Sequence, residues 1–157
     1  MSIVINGTNG EITPLATFTG TTSQVGISLV SGIEKVTVSA TAATGTINYD
    51  VTTQSNLYYT ANAAANWTVN FRASSGTSMN TMMAVGDSTT VVHLVTQGGT
   101  AYYNNAVQVD GSSVTPDYQG GTAWSGGNIN GIDVYVYVII KTADATFKIL
   151  ASQTQFT

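Results

Sequence analysis

Charged side chains are scarce in this chain of 157 residues. Asp, Glu, Lys and Arg make up only 8% of the sequence, whereas they form about 25% of an ordinary soluble domain. The four cations, Lys35, Arg72, Lys141 and Lys148, are too few to neutralise nucleic-acid phosphates or to attract anionic lipids. We therefore expect no nucleic-acid partner. Because so little charge keeps copies apart, the composition favours a protein that packs against other subunits.

Cysteine is absent, and histidine occurs once. These absences exclude disulfides, thiolate metal sites and a cysteine nucleophile. His93 lies between Val92 and Leu94 in an apolar run, where a packed or edge position is more common than catalysis. Zinc sites need several His or Cys ligands, and the acidic residues are scattered rather than paired. We expect no catalytic residues, no metal, no cofactor and no enzymatic activity.

Long hydrophobic runs are also missing. No apolar stretch reaches the roughly 18 residues that a membrane-spanning helix requires, so we expect no membrane insertion. The first residues, MSIVINGTNGEITP, lack the cationic and apolar regions of a signal peptide. This start predicts an unprocessed protein that is made in the cytoplasm.

Thr, Ser, Asn and Gly supply most of the polar character, with 26, 14, 12 and 16 copies. Thr suits strands, and the other three suit turns. Segments such as TINYDVTT and NWTVNFRA alternate apolar and polar side chains, which predicts strands with one wet face. Residues 31–157 are therefore predicted to form an all-β domain, an antiparallel β-sandwich or a jelly-roll-like barrel. Residues 1–30, with Ile3 and Ile5 near turn signals, are predicted to form an N-terminal arm.

One segment departs from the two-residue period. Met79, Met82 and Met83 have helical spacing, Ser78 can cap the start, and Gly86 can supply the left-handed residue after the end. This pattern predicts one short helix near residues 78–85, with its methionines covering an open end of the core.

The segment IDVYVYVII, residues 132–140, is apolar on both faces of a predicted strand. We assign the face with the three valines to the core. The opposite face carries two tyrosines and an isoleucine, and it needs a cover from the arm, a Gly-rich loop or a neighbouring subunit. A subunit is the cover that we favour. The predicted interface residues are Tyr135, Tyr137, Ile139, Ile3 and Ile5.

The Gly-rich loop between residues 111 and 131 contains the one group of side chains with binding character. Tyr118 and Trp124 lie among glycines, amides and carboxylates. Aromatic platforms beside such polar groups are typical of sugar-binding sites, so both residues are candidates for contact with a glycan. The alternative is that Trp124 folds back over a sheet edge and closes the core.

Four stretches have a distinctive amino-acid sequence: LVTQGGTAYY, VDGSSVTP, GGTAWSGGN and KTADATFKILASQTQF. Through them, residues 66–156 resemble a β-rich domain in virion structural proteins of tailed bacteriophages, especially those that infect marine bacteria and cyanobacteria. The domain often ends fibre-like or tail-associated proteins in that group, and the resemblance implies no catalytic residues. It implies a structural protein located in the virion.

We therefore expect a capsid-decorating (cement) subunit, or a tail- or neck-attached subunit, that acts by protein–protein assembly. The expected partners are copies of itself, as a homotrimer, and other virion proteins. The alternative is a carbohydrate-binding or receptor-binding tip of a tail fibre, whose partner is a glycan of the host surface.

Overall fold

The computed structural model describes residues 32–157, so the predicted arm, with Ile3 and Ile5, lies outside the described residues. The described part contains ten β-strands, one α-helix and one 3₁₀ turn. In chain order the elements are β1 (Val36–Ala42), β2 (Gly45–Asp50), β3 (Asn56–Ala61), β4 (Trp67–Arg72), α1 (Met79–Met82), β5 (Ser88–Thr96), β6 (Asn104–Val109), β7 (Ser112–Ser113), β8 (Asp117–Tyr118), the 3₁₀ turn Gln119–Gly121, β9 (Ile132–Ala143) and β10 (Thr146–Phe156).

The strands form two sheets. The large sheet has six strands in the order β1-β3-β5-β9-β10-β8, and the small sheet has four in the order β2-β4-β6-β7. The two sheets pack together, so the predicted all-β sandwich is confirmed. The expected antiparallel pairing is wrong for much of it, because β1 to β6 alternate between the sheets. Neighbouring strands of one sheet among β1 to β6 are therefore parallel. In contrast, β9 pairs antiparallel with both β5 and β10.

The core between the sheets is rich in aromatic rings. On the small sheet, Tyr49, Trp67 and Phe71 are buried, and these positions were predicted to point inward. Rings from the large sheet meet them edge to face, with centroids 5.6 Å apart for Trp67 and Tyr135 and 5.0 Å apart for Phe71 and Tyr137. Such contacts stabilise a core beyond the area that they bury.

The faces of β9 are the reverse of those predicted. Tyr135, Tyr137 and Ile139 have no exposed surface and fill the core, so they are not available as an interface with another subunit. Tyrosine is tolerated there because its hydroxyl finds partners: Tyr137 Oη donates to Asn104 Oδ1 at 3.0 Å, and Tyr135 Oη accepts from Gln153 at 3.0 Å. The valines of β9 lie on the outer face instead.

The predicted helix is confirmed but is only one turn long. Ser78 Oγ caps it by accepting from the backbone N–H of Thr81 at 3.0 Å. The carboxylate of Asp110 accepts from the first backbone N–H groups of the helix, at 2.7 and 3.0 Å. At the other end, Lys141 Nζ donates to the carbonyls of residues 80 and 83, at 2.6 and 2.8 Å. So short a helix is unstable alone, and opposite charges at its two ends stabilise it.

Candidate functional site

The outer face of the large sheet is apolar over five of its strands. Strand pairing aligns its side chains in rows, such as Val36–Asn56–Val92–Val136 and Val38–Tyr58–Leu94–Val134. We call this surface the valine face. Its apolar and aromatic members are Val36 and Val38 of β1, Tyr58 of β3, Val92 and Leu94 of β5, Val134, Val136, Val138 and Ile140 of β9, and Leu150 of β10.

The valine face is open rather than enclosed. Val36, Val38 and Leu150 are 45%, 63% and 43% exposed, and the residues of β5 and β9 between them are half-buried by their neighbours in the sheet. The valines of β1 lie on this outer face, whereas Thr37 between them points inward and donates to Gln54 at 2.9 Å. A contiguous apolar surface of this kind is typical of interaction sites on folded domains.

The outer face of the small sheet is polar and provides a contrast within the same domain. Asn70 Nδ2 donates to Asn48 Oδ1 at 2.9 Å, and Arg72 forms an ion pair with Asp50 on the neighbouring strand. Thr68 of β4 lies on this outer face and is half-buried, as Val136 is on the large sheet. The two outer faces therefore differ in chemistry, and only the valine face has the character of a buried surface.

Few charges adjoin the valine face. Among residues 32–157, Lys148 of β10 forms an ion pair with Asp117 of β8 at one corner of the sheet, and Glu34, just before β1, accepts from Asn56 Nδ2 at 3.0 Å. A shallow trough of about 400 Å³ runs beside that corner, between Val136, Val138 and the β8 segment. A partner that covers this surface would therefore have to desolvate few charged groups.

The structure brings Tyr118 and Trp124 together. Their ring centroids are 4.7 Å apart at an interplanar angle of 87°. Trp124 is half-buried, donates its indole N–H to the backbone carbonyl of Asn104 and packs on Tyr135 at 5.2 Å. It therefore closes the edge of the sandwich, as the alternative prediction had it. A cleft of about 190 Å³ lies beside it, lined also by Gln119, Thr122, Ser152 and Gln153.

A buried carboxylate fastens the Gly-rich loop, and the sequence analysis missed it. Asp133 has no exposed surface and accepts from Gln97 Nε2 at 2.9 Å and from the backbone N–H of Asn128 at 3.2 Å. Burial raises the pKa of Asp133. Gly127 lies so close to this carboxylate that a Cβ atom there would approach it within 2.5 Å. A single carboxylic acid within an otherwise apolar strand was the sequence signal that could have identified Asp133 as the residue that holds the loop.

His93 lies at the centre of the core with no exposed surface. Four aromatic rings surround it, those of Tyr49, Tyr59, Trp67 and Tyr135, with centroids 5.6 to 6.3 Å away. Within residues 32–157 neither of its ring nitrogens has a hydrogen-bond partner, and the same is true of the indole nitrogen of Trp67. Burial lowers the pKa of His93 to about 3, so the imidazole is neutral. The surroundings are those of a packed core residue.

Within the described part of the chain, no three His, Cys, Asp or Glu side chains are grouped closely enough to hold a metal ion. The helix found there is also too short to cross a membrane.

Comparison with known proteins leaves the chain without a family assignment. No family model matches the sequence, and no curated protein and no solved structure matches it either.

Proposed function

We propose that this chain is a structural subunit that acts by protein–protein assembly and performs no catalysis. The valine face supports the proposal. It exposes valine, leucine and isoleucine side chains across five strands, whereas the other outer face of the sandwich is polar. Covering such a surface with a neighbouring subunit removes apolar area from water, which is the main favourable contribution to association.

The assembly that we propose is a bacteriophage particle. The resemblance of residues 66–156 to virion structural proteins supports this choice, and the charge-poor composition agrees with a subunit that lies packed among others. The subunit would decorate the capsid surface or attach to the tail or neck, in contact with other virion proteins.

The test is to locate the protein. Purified particles of the phage that encodes this chain are analysed by mass spectrometry and cryo-electron microscopy. We expect the protein in intact particles at many copies, with the valine face against a neighbouring subunit. Particles that lack the protein, or that hold it with the valine face open to solvent, would refute the proposal.

A second candidate is a carbohydrate-binding tip of a tail fibre. The cleft beside Trp124 supports it, because aromatic and amide groups lie side by side there. A glycan array on the wild type and on Gln119→Ala and Gln153→Ala tests this candidate without removing a packed ring. Binding that either substitution abolishes would support it. Trp124→Ala alone is not informative, since Trp124 also closes the core. An array with no bound glycan would contradict this candidate.

A further inference from the structure

We infer that a second copy of this chain covers the valine face, packed sheet against sheet across a twofold axis that passes near Val92 and Val136. The inference rests on the proposed function and specifies the partner. It also replaces the homotrimer expected from the sequence with a dimer. Four observations support it: the area of the face, its lack of charge, the stiffness of its side chains and the polar character of the opposite face.

The area of the valine face suits a dimer. The outer face of the five strands is three to four alternate residues long. With strands about 4.8 Å apart and alternate residues about 6.7 Å apart, it covers roughly 500–650 Å² when polar positions such as Asn56 and Thr90 are included, and the members of the valine face make up about half of it. Stable interfaces begin at roughly 600 Å² per partner. One copy laid on another would therefore use the whole face, and a smaller ligand would leave much of it wet.

The electrostatics permit self-pairing. In a twofold contact each patch meets the same patch of the other protomer, so a charged face would repel itself. The centre of the valine face carries valines, leucine and tyrosine. Its charges lie at the margins, where Lys148 and Asp117 neutralise each other and Glu34 is hydrogen-bonded to Asn56. A basic or acidic partner would find little complementary charge on this surface.

The shape also favours a second copy. Valine and isoleucine are β-branched and hold nearly fixed rotamers in a strand, so little side-chain entropy is lost when they become buried. Two sheets of the same twist can pack face to face about 10 Å apart. The dimer would then have four layers, with the polar faces of both small sheets outermost.

Sedimentation equilibrium of the full chain, from about 1 to 100 µM, tests the inference. We expect the wild type at twice its mass of 16.3 kDa. Val136→Asp places an unpaired carboxylate at the centre of the contact and should weaken dimerisation by about 100-fold or more. Thr68→Asp introduces the same charge at the matched position of the small sheet and should leave the dimer intact.

A second variant guards against misfolding. Replacement of Val134, Val136 and Val138 by Thr keeps the shape and the β-branching of the side chains and removes only apolar surface. Its circular dichroism should match that of the wild type, and it should also dimerise at least about tenfold more weakly. A dimer that persists in both variants would overturn the inference.

The oligomeric state of the wild type decides the remaining alternatives. A monomer would mean that something else, such as residues 1–31 of the same chain, covers the valine face, and it would overturn the inference. A trimer would overturn it as well. Failure of this inference is distinct from failure of the proposed function. A monomer or trimer that is found in particles would refute the dimer and support the structural role. A dimer that is absent from particles would refute the structural role.

Discussion

Acidification is expected to weaken the fold through His93. The groups that face its ring come from four strands: Tyr49 of β2, Tyr59 of β3, Trp67 of β4 and Tyr135 of β9. None of them is a carboxylate, and burial raises the pKa of all three tyrosines. An imidazolium at this position would therefore be a buried charge with no counter-ion.

The size of the effect follows from the two pKa values. The imidazole has an ordinary pKa of 6.5, and burial lowers the pKa of His93 to about 3 in the folded chain. The unfolded chain therefore binds the proton more readily, so stability is fully present above about pH 6.5 and is lost as the pH falls towards 3. The loss averages roughly 1 kcal/mol per pH unit, or about 2 kcal/mol between pH 6.5 and 4.5. A domain is stable by only about 5–15 kcal/mol, so this loss is large.

The assay is urea denaturation followed by tryptophan fluorescence, at several pH values from about 7.5 to 4.5 and at one protein concentration. His93→Phe keeps an aromatic ring in the cluster and removes the titrating nitrogens. Because His93 is the sole histidine in the chain, this variant should lose the downward slope and should be at least as stable as the wild type at neutral pH.

Asp133 acts in the opposite direction. Its pKa is raised by burial, so the folded chain holds its proton more readily and gains stability as the pH falls through that range. His93→Phe isolates this opposing contribution. An equal pH dependence of stability in wild type and variant would refute the reasoning about His93.

Three further predictions use urea denaturation at neutral pH. Gly127→Ala should lower the free energy of unfolding by about 2–3 kcal/mol, because its Cβ would lie 2.3 Å from a backbone carbonyl oxygen. Gly126→Ala, with open space around it, should change the free energy of unfolding by less than about 0.5 kcal/mol, and equal losses in the two variants would contradict the close contact at Gly127. Lys141→Met should lower the free energy of unfolding by about 1–2 kcal/mol, because two helix carbonyls lose their hydrogen-bond donor. Lys148→Met, at an exposed ion pair, should be nearly neutral, and the reverse order would argue against stabilisation of the helix by Lys141. Tyr137→Phe should cost about 1–2 kcal/mol and leave the oligomeric state unchanged; a change in oligomeric state would restore its face of β9 as an interface.

The sequence predicted the all-β fold and the inward positions on the small sheet because those strands alternate apolar and polar residues. Strand β9 could not be oriented in the same way, since both of its faces are apolar and period two does not say which one is buried. Which face of β9 is buried depends on Trp67 and Phe71 of the other sheet, which lie more than 60 residues away in sequence. Parallel pairing of β1, β3 and β5 is likewise a property of distant segments.

The same limit applies to the candidate sites. The excess of apolar surface on β9 was visible in the sequence, but the face that was assigned to an interface is the one that fills the core. That a partner covers the opposite face stays a prediction. Tyr118 and Trp124 were rightly grouped by their loop, but the cleft beside them depends on Ser152 and Gln153 of β10. Strand β3 was missed, although its pairing extends the valine face to β1.

The winding of the chain between the sheets also has a consequence for how the molecule reaches its native state. Strands β1 to β6 leave the ribosome before β9 does, yet β9 is the strand that joins β5 to β10 in the large sheet. Most strand partners are also far apart in sequence, a topology that slows folding to milliseconds or longer. Completion of the core must therefore wait until β9 has emerged. The hairpin of β9 with β10, closed by a tight turn, is the local structure best placed to nucleate folding.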